Sequence, residues 1–281
     1  MHLSRVRLSQ LFAVLVLAIS CCASATAQSF SAPHAKVSLL AEQNSLQPGH
    51  TASIGLFFDL ENGWHIYWVN PGDSGEAPRV RWNLPKGFEA GDIRWPVPAR
   101  LAAGQLVDYG YQGQVLLPLE LRVPASYQAG APVTIVADVR YIVCRDVCMP
   151  AQTQARLSLP SANRAPSDAV AAHKLFQQAR GNQPKPMPAN WKAQARDDGR
   201  NFVLTLETGA PVPKATFFPL VGDQVDNAAA QTVTPAPRGG QIALKKSVQL
   251  ALLARPIPTL KGVVVLGPDQ AYEIAAPITA H

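Results

Sequence analysis

The sequence predicts an all-β protein organised as two β-sandwich domains. Three observations carry that expectation. Apolar residues recur in short runs of alternation, the period of a strand with one covered face. Twenty-five prolines punctuate the 281 residues and break up most of the chain for helix. One stretch, residues 168–180, has helical character, with Ser167 as its expected cap and Gly181 as its stop.

Residues 1–27 read as a secretory leader. Arg5 and Arg7 precede an apolar run, Leu11 to Ile19, and Ala25-Thr26-Ala27 is a small-x-small cleavage site. The run is shorter than the roughly 20 residues a membrane span needs. Lipid attachment at Cys21 is a minor alternative. Removing the leader takes away two arginines and no acid, so the net charge falls from +6 to +4. The remaining basic residues are scattered, which argues against a nucleic-acid partner. The expected location is the periplasm, with no membrane span.

Residues 28–160 form the first expected domain. Lys36 to Ala41 and Thr51 to Leu60 alternate as strands around the turn Gln47-Pro48-Gly49-His50. Gly63 then launches Trp64 to Trp68. Alternation puts Trp64, Ile66 and Trp68 on one face and the polar-tipped His65 and Tyr67 on the other. A loop dense in Gly, Pro, Asp and Ser follows, residues 69–78. Arg79 to Leu84 and Phe88 to Trp95 read as strands, and 96–106 as an irregular excursion. The stretch Val107-Asp108-Tyr109-Gly110-Tyr111-Gln112-Gly113 reads as a loop with aromatics at its tip, a pattern suited to a cover. Val115 to Val123, Val133 to Val143 and Gln152 to Leu159 complete the set. Residues 161–189 are helix and Pro-rich linker. Residues 190–281 are a second, smaller β domain, with strands expected at 191–195, 201–206, 214–219, 231–235, 241–243, 249–253, 262–266 and 271–275.

Chemistry concentrates in Val143-Cys144-Arg145-Asp146-Val147-Cys148-Met149-Pro150. Its cysteines are the only two outside the leader, and a strand feeding a turn places one on each side of that turn. A domain of this length needs no staple to hold its core. A three-residue loop also removes little unfolded-chain entropy, so as a stabiliser the bond is weak. The functional reading is a redox pair, Cys144 and Cys148, that is easily reduced. Two alternatives compete. One is a Cu(I) site using Cys144, Cys148 and Met149 or His65, a soft sulfur and nitrogen set. The other is an inert local disulfide in a structural module. No cofactor is expected, no second cysteine pair offers a structural zinc site, and no arrangement for hydrolysis stands out.

Three blocks resemble the N-terminal periplasmic domain of the disulfide reductase DsbD, especially its ScsB-type variants. They are Gly63 to Gly75, Asp108 to Val115 and Val143 to Pro150, in family order across most of residues 33–160. The resemblance implies an immunoglobulin-like sandwich whose pair, Cys144 and Cys148, passes reducing equivalents onward. It implies a cap loop around Asp108, Tyr109 and Tyr111, and places His65 and Tyr67 beside the pair. It also implies a membrane-embedded electron donor of the DsbD/ScsB type, and thioredoxin-like or disulfide-containing clients. The chain departs from the pattern in lacking the family's transmembrane and thioredoxin-like domains and in its shorter cysteine spacing.

Overall fold

The computed structural model describes residues 26–28, 30–252 and 257–279. The expected leader lies outside them except for Thr26 and Ala27, which belong to the first strand. No helix among the described residues is long and apolar enough to cross a membrane.

Two antiparallel sheets make the amino-terminal sandwich. One runs β1 (Thr26–Gln28), β12 (Cys148–Leu159), β11 (Val133–Cys144), β5 (His65–Gly72), β9 (Leu106–Gln112), β8 (Ala99–Ala103), with β6 (Arg79–Asn83) also paired to β11. The other runs β2 (Phe30–Ala32), β3 (Ala35–Ala41), β4 (Thr51–Leu60), β10 (Gln114–Arg122), β7 (Glu89–Ala90). Strand alternation sends Leu39, Ile54, Leu56, Phe58 and Leu117 of the second sheet into a common core with Ile135, Ala137, Val139 and Leu157 of the first. The β11–β12 hairpin keeps unbroken register from Val133↔Leu159 to Cys144↔Cys148. Its β-branched and aromatic residues, Val133, Ile135, Val139, Tyr141 and Val143, suit a pleated surface and carry the cysteines to the hairpin end.

Helix α1 (Val170–Gly181) lies on β10, burying Phe176, Ala172 and Ala179 against Leu116. It begins later than the sequence suggests. Ser167 does not cap it, because its hydroxyl and its backbone N–H are both engaged by the Asn44 side chain, at 2.6 and 3.2 Å. Arg180 instead anchors the helix end, donating to both carboxylate oxygens of Glu42 at 2.6 and 2.7 Å.

The carboxy-terminal half contains β13 (Lys185–Pro186), β14 (Lys192–Asp197), β15 (Asn201–Glu207), β16 (Thr216–Pro219), β17 (Thr232–Ala236), β18 (Gly239–Lys245), β19 (Thr259–Gly267) and β20 (Gln270–Thr279). Two antiparallel groups, β16-β19-β20 and β14-β15-β18-β17, meet through a short parallel pairing of β14 with β20 and share one core. The molecule is thus all-β with sandwich architecture, as expected. Phe218, Val263 and Ala271 belong to the same buried cluster as the amino-terminal core, so the two halves are packed together.

Four local expectations are corrected. Residues 107–113 are not a loop: all but Gly113 lie in β9. Gly110 signals close strand approach, since a Cβ there would sit 2.1 Å from the Ile66 carbonyl oxygen. The irregular excursion contains edge strand β8. The expected strand at 88–95 shrinks to the two residues of β7. Residues 248–252 form a 3₁₀ turn instead of a strand, started where the Ser247 hydroxyl accepts the Gln249 N–H at 3.2 Å; Leu253 lies outside the described residues.

Candidate active site: a disulfide backed by a tyrosine

Cys144 ends β11, Cys148 starts β12, and the two are joined as a disulfide with Cα atoms 4.2 Å apart. They differ sharply in access. Cys144 is 1% exposed, whereas Cys148 lies with Arg145, Asp146 and Val147 at the exposed hairpin tip. On its other side Cys144 pairs in register with His65 of β5. That pairing brings the ring of Tyr67, two residues along the same strand face, onto the disulfide. The Tyr67 hydroxyl donates to Cys144 Sγ at 2.8 Å and lies 3.6 Å from Cys148 Sγ.

Behind Tyr67 stands an ordered set of polar groups. The Ser74 Oγ is 3.3 Å from the Tyr67 hydroxyl and 2.9 Å from each Asp108 carboxylate oxygen. The Ser74 backbone N–H also donates to Asp108, at 3.0 Å. Ser74 has one hydroxyl proton and the carboxylate takes it, which leaves the Tyr67 proton for sulfur. Burial, aided by the negative charge of Asp108, holds the Tyr67 phenol above its ordinary value of 10, against a smaller opposing effect of Ser74. Tyr67 therefore stays protonated at neutral pH and remains a donor. His65 completes the back wall. Its ring meets that of Tyr67 edge-on at 5.2 Å, and its Nε2, without a hydrogen-bond partner, lies 3.6 Å from Asp108 Oδ2.

The expected residues divide into two groups. His65, Tyr67, Asp108 and the cysteines are brought together. Tyr109 and Tyr111 are not: the Tyr109 hydroxyl donates to Asn227 Oδ1 at 3.0 Å, and that of Tyr111 to the Pro96 carbonyl at 2.7 Å. Both are buried in β9, so the expected aromatic loop tip is absent. Burial pushes both phenols upward. The segment that lies over Tyr67 is Asp73–Gly75. A Cβ on Gly75 would be 2.1 Å from the Tyr67 Cζ, and the residue adopts φ +69°, so this position favours glycine twice over. Ser74 and Asp73 were inconspicuous in a polar loop, and only the register of β5 against β9 reveals their use.

Arg145, the charge between the cysteines, is committed elsewhere. It pairs with Asp146 at 2.9 Å and sits 5.2 Å over the Trp64 ring, whose plane also stacks with His34. Of the two residues that could complete a copper donor set with the cysteines, Met149 is turned by alternation along β12 toward the sandwich interior, where it packs against the core, whereas His65 pairs in register with Cys144. Among the described residues, no three His, Cys, Asp or Glu side chains cluster as a metal site.

A sandwich presenting an oxidised cysteine pair at a hairpin end, with one cysteine exposed and the other backed by a phenol, has the form of a thiol–disulfide exchange domain. Residues 36–160 match the family model described as "Thiol:disulfide interchange protein DsbD, N-terminal". The chain is also similar to the crystal structure of the N-terminal periplasmic domain of ScsB from Proteus mirabilis. That match has a TM-score of 0.68 at 17% identity, covering 91% of this chain and 98% of that one, and it shows a shared fold. A match to the periplasmic chaperone SfaE, with a TM-score of 0.23 at 9% identity over 86% of this chain and 100% of that one, is too distant to inform the fold. No curated protein sequence matches the chain.

Proposed function

We propose that this is a periplasmic thiol–disulfide exchange protein that receives reducing equivalents from a membrane-embedded donor of the DsbD/ScsB type and passes them to thioredoxin-like or other disulfide-containing clients. The observation that carries this reading is the asymmetry of the pair: Cys148 is exposed, while Cys144 is buried with a hydroxyl donor 2.8 Å from its sulfur.

The chemistry follows that asymmetry. A donor thiolate attacks Cys148 Sγ, a mixed disulfide forms there, and the Cys144–Cys148 bond breaks. Cys144 leaves as a thiolate, held by the Tyr67 hydrogen bond until it takes a proton from solvent; charge-assisted hydrogen bonds of this kind are the stronger ones. The donor's second thiolate then attacks the mixed disulfide. The donor departs oxidised, Cys148 is reduced, and two electrons have moved. The same steps in reverse deliver those electrons to an oxidised client, with Cys148 attacking and Cys144 resolving.

Oxidised thioredoxin serves as a model client for the test. With Cys144→Ser, the reduced protein should accumulate a mixed disulfide through Cys148. Cys148→Ser should neither trap nor reduce the client. Client turnover by Cys148→Ser at the wild-type rate would contradict the mechanism.

A further inference from the structure

The cover over Tyr67 is tied down from far along the chain. Asn227, buried at 5% exposure in the carboxy-terminal half, donates from Nδ2 to Asp73 Oδ1 at 2.8 Å. Its Oδ1 accepts from the Tyr109 hydroxyl at 3.0 Å, and its backbone carbonyl accepts from Arg100 at 2.5 Å. The other Asp73 oxygen accepts the Val107 N–H at 2.8 Å, and the Asp73 N–H returns to the Val107 carbonyl at 3.1 Å. A second tie reaches the end of β5 just before this loop, where the Asn70 side chain donates to the Pro219 carbonyl at 2.7 Å. Phe218, next to Pro219, packs edge-on against Trp68 and Tyr109, with ring centroids 6.3 and 5.3 Å away. Asn227 and Pro219 both lie outside the residues 36–160 that match the family model.

We infer that the carboxy-terminal half is a clamp on the redox site, and that Asn227 is its positioning residue. By fixing Asp73, Asn227 fixes Ser74 against Asp108 and Gly75 against the Tyr67 ring, and so holds the Tyr67 hydroxyl on Cys144 Sγ. Asn227 touches neither sulfur and acts through Tyr67. A buried carboxamide suits the task because it donates to a carboxylate and accepts from a phenol at once. Without Asn227 the buried Tyr109 hydroxyl would be left unpaired, which is costly, and Asp73 would lose its tether to the carboxy-terminal half, so the loop would shift if Asn227 were truncated. The inference rests on the exchange reading for its biological meaning, but its test does not.

The test measures how fast dithiothreitol reduces the Cys144–Cys148 disulfide in the full chain, a property of the bond that needs no client. Tyr67→Phe should slow reduction by about three- to tenfold, the span of a single hydrogen bond. Asn227→Ala should slow it in the same direction. The double variant should be no slower than Tyr67→Phe alone, because both changes remove one interaction. Tyr109→Phe keeps the ring packing and removes only the bond to Asn227 Oδ1, so it should give a smaller slowing if Asn227→Ala proves poorly folded. Reduction at or above the wild-type rate in Asn227→Ala and Tyr109→Phe would overturn the inference, as would effects of Asn227→Ala and Tyr67→Phe that multiply. Coupling without client exchange would sink the proposed function and leave the clamp standing; client exchange without coupling would do the opposite.

Discussion

Tyr67 is the side chain on which the site turns, and its environment states its role. Its hydroxyl sits 2.8 Å from Cys144 Sγ, and burial keeps it protonated well past neutral pH. Tyr67→Phe should leave the fold intact and raise the thiol pKa of Cys144 in the reduced protein, because a thiolate without its donor is less favoured. Titration of thiolate absorbance in a Cys148→Ser background would show the shift; an unchanged titration would mean the hydrogen bond does not persist on reduction. Much of this was legible in the sequence. Alternation alone placed His65 and Tyr67 on the face opposite Trp64, and the strand-forming Tyr141, Ile142 and Val143 with Pro150 beyond placed one sulfur on each side of a turn. Asp73 and Ser74 were not legible, because a polar loop residue acquires its partner only from the neighbouring strand. Asn227 lies 154 residues from Asp73 and carried no local signal at all.

Strand β9 shows how a motif can be recognised and its shape misjudged. Tyr109-Gly110-Tyr111 resembles a loop tip in composition, yet Gly110 is there so that β5 and β9 can approach. Gly110→Ala should therefore destabilise the fold by roughly 2–3 kcal/mol through overpacking, read as a lowered urea midpoint; a midpoint matching wild type would refute the close approach. Helix α1 makes a separate, pH-dependent prediction. The Arg180 guanidinium hydrogen-bonded to Glu42 holds that carboxyl below its ordinary 4.5, so the pair's stabilisation is present above that pH and lost as pH falls through the lowered value. Arg180→Met should cost about 1–2 kcal/mol near neutrality, the charged bond being discounted for the exposed guanidinium. The difference from wild type should shrink on acidification below about pH 4. A gap that stayed constant with pH would assign the loss to packing alone.

The two halves of the molecule share a buried cluster, with Phe218 inserted against Trp68 and Tyr109. They should unfold in one calorimetric transition. Phe218→Ala should cost about 3–4 kcal/mol and split the trace in two; two transitions in the wild type would show the halves to be independent. The all-β architecture was readable from alternation and proline content, whereas this junction depends on which faces meet and no periodicity records that. Whether the whole protein works as an electron carrier is read from the reduction potential of the Cys144–Cys148 pair in the intact chain, equilibrated in glutathione or dithiothreitol buffers with thiol trapping. A value between about −120 and −270 mV, the range of working exchange proteins, is the expected result. A value below about −300 mV would mark a structural bond and contradict that role.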